Sequence, residues 1–308
     1  MQKPVRTLSF PQNFSLGRLY ARDEYVDELL IGEATGDLCV DADARLTLKI
    51  RTDVKLDLSS LTSFEPDSLF ALSLANTQIT DEQLKYVAHL SKLKSLYLQH
   101  TNLKGWGFVH LRGLTSLRNL SLWWTKVTDE YFIYLSELVS LEALNLSSTR
   151  ITDHALSHLQ NLAKLENLDL WGTNTGDKCL NYLKAMPSLT VLGLANTRIT
   201  DAGLAHLSQL PLRSLNLRQT NITDMGLKCI AAMQNLEALD LTDTNVTDAG
   251  LRFLAELRQL RRLSLRGTQA TAASLSAFSQ LNQLDLNMST HTAGGHSLKT
   301  LATAQSSI

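Results

Sequence analysis

One skeleton, L-x-x-L-x-L-x-x-T-x-I-T-D, returns along most of the chain and is clearest in Leu141–Asp153, LEALNLSSTRITD. Counted from Leu141, leucines hold repeat positions one, four and six, and threonine holds position nine. With Leu144 as the anchor at position four, equivalent leucines stand at Leu72, Leu96, Leu120, Leu168, Leu192, Leu215, Leu239, Leu263 and Leu284. The interval is 24 residues five times, then 23, 24, 24 and 21. A fixed period of this length is the mark of a solenoid, because one such unit cannot bury its apolar face and must stack on copies of itself.

Two periodicities share each repeat. The L-x-L alternation puts both leucines on one face of a short strand and the residue between them on the other. The I-T-D-x-G-L-x-x-L stretch carries apolar residues three apart, which fits a helix opened by Thr or Asp. The expected architecture is an α/β solenoid, a horseshoe with a parallel sheet on its concave face and helices on its convex face. Asp81, Asp129, Asp153, Asp177, Asp201, Asp224 and Asp248 recur at the helix start, where a carboxylate is expected to accept the helix's own first N–H groups. Thr77, Thr101, Thr125, Thr149, Thr173, Thr197, Thr220, Thr244 and Thr268, closed by Ser289, form a file. It is expected to satisfy the buried loop groups of successive turns.

Residues 1–68 do not follow the repeat, 69–289 do, and 290–308 form a tail rich in small and polar residues. The first segment reads as a β-rich cap, with β-prone runs at Leu16–Ala21, Asp37–Val40, Leu46–Ile50 and Lys55–Leu58. Asp41-Ala42-Asp43-Ala44 is expected to join the second run to the third as a hairpin turn. Leu56 and Leu58 resemble a first repeat strand, with Leu61 where the ladder threonine belongs. The tail is expected to fray or to form one short helix around Leu298 and Leu301.

The extended pattern L-x-x-L-x-L-x-x-(N/C/T)-x-I-T-D-x-G-L resembles the leucine-rich repeat family over about Leu69 to Leu286. Its I-T-D-x-G-L half is similar to the cysteine-containing class of F-box substrate receptors, with Thr in place of Cys as in bacterial repeat proteins. The resemblance implies a solenoid that binds other proteins. Three stretches depart from it: Leu103-Lys104-Gly105-Trp106-Gly107-Phe108, Asn174-Thr175-Gly176, and the one-residue deletion at Pro211.

Several chemistries are disfavoured by what the chain contains. Lys plus Arg number 29 against 30 Asp plus Glu, which lacks the basic excess of a nucleic-acid or polybasic membrane binder. Cys39, Cys179 and Cys229 form neither a C-x-x-C pair nor a disulfide framework, and a cytoplasmic location is expected. Phosphate-loop, dinucleotide, nucleophile-elbow and H-E-x-x-H signatures are missing, so neither catalysis nor a cofactor is expected; the alternative is a small enzymatic site within residues 1–68. His110, His158 and His206 recur 48 residues apart. With strands ~4.8 Å apart they stand roughly 10 Å from one another, too far to share a metal. Tyr86, Tyr134 and Tyr182 alternate with them, as on an amphipathic helix flank.

Recognition chemistry falls on positions three, five, seven and eight, which flank the core leucines. They hold Tyr97, His100, Trp123, Trp124 and Trp171, then Arg218. Asn145, Asp169, Asp240 and Arg266 stand among them, so the face grades from aromatic to charged. Ala143, Asn145, Ser147 and Ser148 form a small-residue floor. Trp, Tyr and Arg concentrate binding energy at interfaces, so the expected function is a non-catalytic scaffold holding a protein or peptide partner, as a monomer or weak homodimer. The alternative of the same class is a substrate receptor or effector that recruits a second protein through its N-terminal region.

Overall fold

The computed structural model describes residues 4–22, 28–52, 56–271, 278 and the backbone of 285–287. The expected tail, Ser289 and Leu284 lie outside the described residues. Two compact units divide the chain, Met1–Leu165 and Glu166–Ile308.

Unit 1 opens with five longer strands, β1 (Val5–Ser9), β2 (Gly17–Arg22), β3 (Leu29–Glu33), β4 (Asp37–Asp41) and β5 (Arg45–Ile50). Four three-residue strands follow, β6 (Ala71–Ser73), β7 (Ser95–Tyr97), β8 (Asn119–Ser121) and β9 (Ala143–Asn145). β2 lies between β3 and β5 in antiparallel pairing, and β5 then pairs in parallel with β6, Leu48 opposite Leu72. The first parallel strand is therefore β5 rather than the Leu56–Leu58 run. Leu58 is buried, and a 3-10 helix, Ser59–Ser63, follows it. The expected hairpin at Asp41–Ala44 does not form either, because β4 pairs with β1 in a separate sheet. Alternation had shown strand propensity in both runs but not which partner each would choose.

Unit 2 carries β10 (Asn167–Asp169), β11 (Val191–Gly193), β12 (Ser214–Asn216), β13 (Ala238–Asp240), β14 (Arg262–Ser264) and β15 (Asp285–Asn287), all in parallel. Leu263 faces Leu286, not Leu284. A two-residue slip keeps every side chain on its original face, so leucine alternation could not distinguish the two registers.

The anchor leucines and those at position six fill the core, with Leu96, Leu98, Leu168 and Leu170 fully enclosed. After position six the chain must leave the strand, and position eight does this with a left-handed residue. Asn76, His100, Trp124, Ser148, Asn196, Gln219 and Asp243 have φ of 52° to 61°, joined by Gly172 and Gly267. Gly, Asn and Asp adopt this region at little cost.

The threonine file works within each repeat, not between turns. Thr125 Oγ1 donates to the Leu122 carbonyl at 2.6 Å and Thr173 Oγ1 to the Leu170 carbonyl at 2.7 Å. The same bond recurs from Thr77 to Thr268. Each hydroxyl thus satisfies a carbonyl freed by the left-handed turn.

The aspartates do the inter-repeat work. Asp201 accepts the Thr223 N–H at 2.9 Å and the Thr223 hydroxyl at 2.5 Å. Thr223 is the N-cap of the next helix, Asp224–Ile230, and its Oγ1 accepts from Met225 N–H. Asp129, Asp177, Asp201 and Asp224 therefore each fix the cap of the following helix rather than their own. A Cβ on Gly226 would meet Asp201 Oδ1 at 2.4 Å, which explains the glycine of I-T-D-x-G-L.

Candidate functional site

In unit 1 the structure groups Tyr97, His100, Trp123, Trp124 and Asn145 on or beside β7, β8 and β9. Tyr97 and Trp123 are half-exposed, whereas Trp124 is 56% exposed. The His100 ring meets the Trp123 ring edge-on at 4.4 Å and stacks on Trp124 at 5.9 Å with planes 28° apart. The loop backbone holds the cluster together, since His100 N–H donates to the Trp123 carbonyl and Trp124 N–H to the Ser147 carbonyl, each at 2.9 Å. Both His100 and Trp124 have φ of 56°. The left-handed region costs a side chain with a Cβ roughly 1–2 kcal/mol, and a bulky ring there is an outlier. Strain of this kind gathers at functional sites because the surroundings must enforce it.

Two polar atoms beside this cluster stand out, one on Gln99, which the sequence did not single out, and one on Ser147, already placed in the small-residue floor. Gln99 Oε1 and Ser147 Oγ are shielded from solvent and have no hydrogen-bond partner. Both occupy position seven, on either side of Trp123 in the same row. Their position in the repeat was legible beforehand, but their lack of a partner was not.

In unit 2 the residues at position five prove to orient those at position seven. Asp169 Oδ1 accepts the Trp171 N–H at 3.1 Å, and Asn216 Oδ1 accepts the Arg218 N–H at 3.0 Å. Asp240 does the same for Thr242 at 2.9 Å. Asp169 is buried, and a Cβ on Gly193 would stand 2.4 Å from its Oδ1. Asn145 plays this part in unit 1, accepting the Ser147 N–H at 2.9 Å. One oxygen of each is thus committed to its own loop. Arg218 and Asp243 form an ion pair at 3.8 Å. Arg266 is half-exposed on the same face.

The helical side carries the expected Tyr and His flank. Lys85 lies 5.3 Å from the Tyr86 ring and Arg112 lies 5.8 Å from the Tyr134 ring. His154 and His158 meet edge-on at 4.9 Å. Burial, and then the neighbouring His154, hold His158 below the ordinary histidine value, while Asp129 opposes them. No group of three or more His, Cys, Asp or Glu suited to a metal occurs among the described residues.

The departures from the pattern have local explanations. Gly105, with φ of 108°, replaces the staple aspartate and packs against Tyr131, while Trp106 is left 41% exposed. Thr175 fills the apolar position eleven fully buried, its hydroxyl 2.9 Å from that of Thr173. Pro211 borders a shallow recess lined by Thr190, Arg213 and Glu237.

The leucine rich repeat family profile matches residues 211–270. An internalin of Listeria monocytogenes superposes with a TM-score of 0.58 at 23% identity, over 76% of this chain and 71% of that one. A leucine-rich repeat protein of Leptospira interrogans superposes with a TM-score of 0.56 at 18% identity, over 78% of this chain and 65%, less than two thirds, of that one. Comparison with curated proteins finds no match. The fold is an α/β solenoid of the leucine-rich repeat type, and residues 211–270 within it match the family profile. No helix among the described residues is long and apolar enough to cross a membrane.

Proposed function

We propose that this chain is a non-catalytic interaction scaffold that holds a protein or peptide partner against the exposed face of its parallel strands. The observation that carries this reading is the aromatic cluster of His100, Trp123 and Trp124. The rings of His100 and Trp124 stand exposed on a backbone that Asn or Gly would occupy at lower cost. Tyr97 and Asn145 extend the surface in unit 1. In unit 2, Trp171 and Arg218 are presented by position-five partners, with Asp169, Asp240 and Arg266 around them. Aromatic and Arg anchors surrounded by polar groups are what binding surfaces concentrate.

The test is capture from native lysate by wild type and by Trp123→Ala, Trp171→Ala and the double variant, with folding checked by circular dichroism. Loss of a partner in at least one variant is the expected result. Retention of every partner by all three folded variants rejects the reading.

A second reading has one specific observation in its favour. β3 is the outermost strand of its sheet among the described residues, and Leu29, Leu30 and Ile31 on it are 55%, 52% and 39% exposed. An apolar edge strand is a template for strand addition, which suits an adaptor that recruits a second protein through its N-terminal region. Ile31→Lys would abolish that recruitment and leave strand-face binding intact.

A further inference from the structure

The Tyr and His flank on the helical side of unit 1 holds one departure from its own pattern. Tyr86, His110, Tyr134 and His158 share a repeat position, and the residues four places before them are Glu82, Trp106, Glu130 and His154. His154 and His158 are the only two histidines of the chain at this i, i+4 spacing, which sets one side chain above the other on a helix face.

The turn that carries the pair is fixed before any ligand arrives. Its N-cap, Thr152, is held by Asp129 through the N–H at 2.8 Å and the hydroxyl at 2.6 Å, and Thr152 Oγ1 in turn accepts the His154 N–H at 3.3 Å. Ala155 and Leu156, between the two histidines, are fully enclosed in the core. Rigid support of this kind lets two ligands act together.

The rings are already at a chelating separation. Their centres lie 4.9 Å apart with planes 72° to each other. Two imidazoles on one tetrahedral ion, each nitrogen ~2.0–2.1 Å from the metal, have ring centres roughly 5 Å apart. The rings are also uncommitted: among the described residues neither imidazole makes a hydrogen bond or close ion pair with the protein. His154 is exposed and His158 is half-buried, so both are reached from solvent. Asp129 has both oxygens on Thr152, and no group of three His, Cys, Asp or Glu suited to a metal forms among the described residues. Water therefore fills the remaining positions.

We propose that His154 and His158 form a two-imidazole site for a divalent transition-metal ion on the helical side of unit 1. Imidazole ligands suit Cu2+, Ni2+ and Zn2+, with Cu2+ held most tightly. Mg2+ and Ca2+, which seek oxygen ligands, are refused. The ion clips the Asp153–Ser157 turn across its outer face. The site stands apart from the strand-face reading, and neither depends on the other.

The test titrates the metal-free full chain with Cu2+, Ni2+, Zn2+ and Mg2+ by calorimetry. Saturable binding of the first three is expected with Kd of about 1–100 µM, and none for Mg2+. His154→Gln and His158→Gln each weaken that binding at least about tenfold, whereas His110→Gln and His206→Gln, at the same repeat position on neighbouring turns, leave it unchanged. Zn2+ also raises the urea midpoint of wild type and not of the two site variants, because the unfolded chain holds the imidazoles loosely. A readout that needs no variant is protection of His154 and His158 from diethyl pyrocarbonate by Zn2+, mapped by mass spectrometry. Unchanged affinity in His154→Gln or His158→Gln, an equal loss in His110→Gln, no saturation by the three transition metals below about 1 mM, or unprotected rings in wild type overturns the assignment.

Discussion

In unit 2, Asp177, Asp201, Asp224 and Asp248 hold the threonines Thr200, Thr223, Thr247 and Thr271 of the next repeat. All four isolated parallel bridges among the described residues run beside that file. In unit 1 the file is interrupted. Asp81 binds the N–H groups of Lys104, Gly105 and Gly107, Gly105 offers no carboxylate, and the staple resumes only at Asp129 with Thr152. The helical segments follow suit: in unit 1 Asp81–Val87, Trp106–Leu111 and Asp129–Glu137 are 3-10 turns and an α-helix forms only where the staple resumes, at Asp153–Ser157, whereas the longer α-helices Asp177–Leu183 and Asp224–Ile230 lie in unit 2. The unit that departs from the repeat rule is also the one with the strained aromatic cluster. Local rules are broken where something other than stability is selected, and the comparison separates architecture from recognition on that basis.

Removing the carboxylates should break the two units by different amounts. Asp81→Ala strands three N–H groups and is expected to lower stability by about 4 kcal/mol, against about 3 kcal/mol for Asp201→Ala, which strands one N–H and one hydroxyl. Urea unfolding measures both, and equal, negligible losses would remove the staple from the account. A smaller effect of opposite sign is expected on the aromatic side. Trp124→Asn relieves a left-handed tryptophan and should raise stability by about 1 kcal/mol while weakening partner capture. A variant that is destabilised would show that Trp124 supports the fold, as Asp201 does in unit 2.

The smallest effect concerns His158. Its folded value lies below the ordinary one, so the neutral ring is preferred in the folded chain and the unfolded chain takes up the proton more readily. Its stabilising contribution is present above the unfolded value near 6.5 and is lost as pH falls through that value. The groups that act on it are His154 on its own helix, α1 (Asp153–Ser157), just before it, and Asp129 from the preceding repeat. His158→Gln should therefore lose less of its urea midpoint than wild type between about pH 7.5 and about pH 5.5. An identical loss in the two proteins would contradict this.

Much of this was legible in the sequence, for physical reasons that also explain what was not. The leucine spacing determined the solenoid because burial and strand alternation leave few ways to satisfy it. Thr149 and Asp153 were rightly read as architecture, and the threonine hydroxyls do satisfy buried loop carbonyls, but the aspartates bond to the next repeat's cap and not to their own helix. A spacing shows that a polar group recurs, and only coordinates show that Thr149 bonds within its repeat or that Asp201 reaches the next one. Trp123, Trp124 and Trp171 stood out because large rings at positions beside the core need a reason. Asp169 and Asp240 stood out as candidate contact residues, and each also holds its own loop through an oxygen that no pattern of residue types reveals. The left-handed backbone under His100 and Trp124, and the unpaired atoms of Gln99 and Ser147, leave no trace in composition at all.

The central claim is that the strand face of unit 1 carries the partner, and a photo-crosslinking residue placed at Ser121, between Tyr97 and Trp123 along the chain and on β8, tests it directly in native lysate. The account predicts a covalent adduct from Ser121 that disappears when Trp124→Asn is added, with no such adduct from a control position at Ser136 in the 3-10 segment. Adducts that form at Ser136 and not at Ser121, or that persist unchanged at Ser121 in the Trp124→Asn chain, would contradict it.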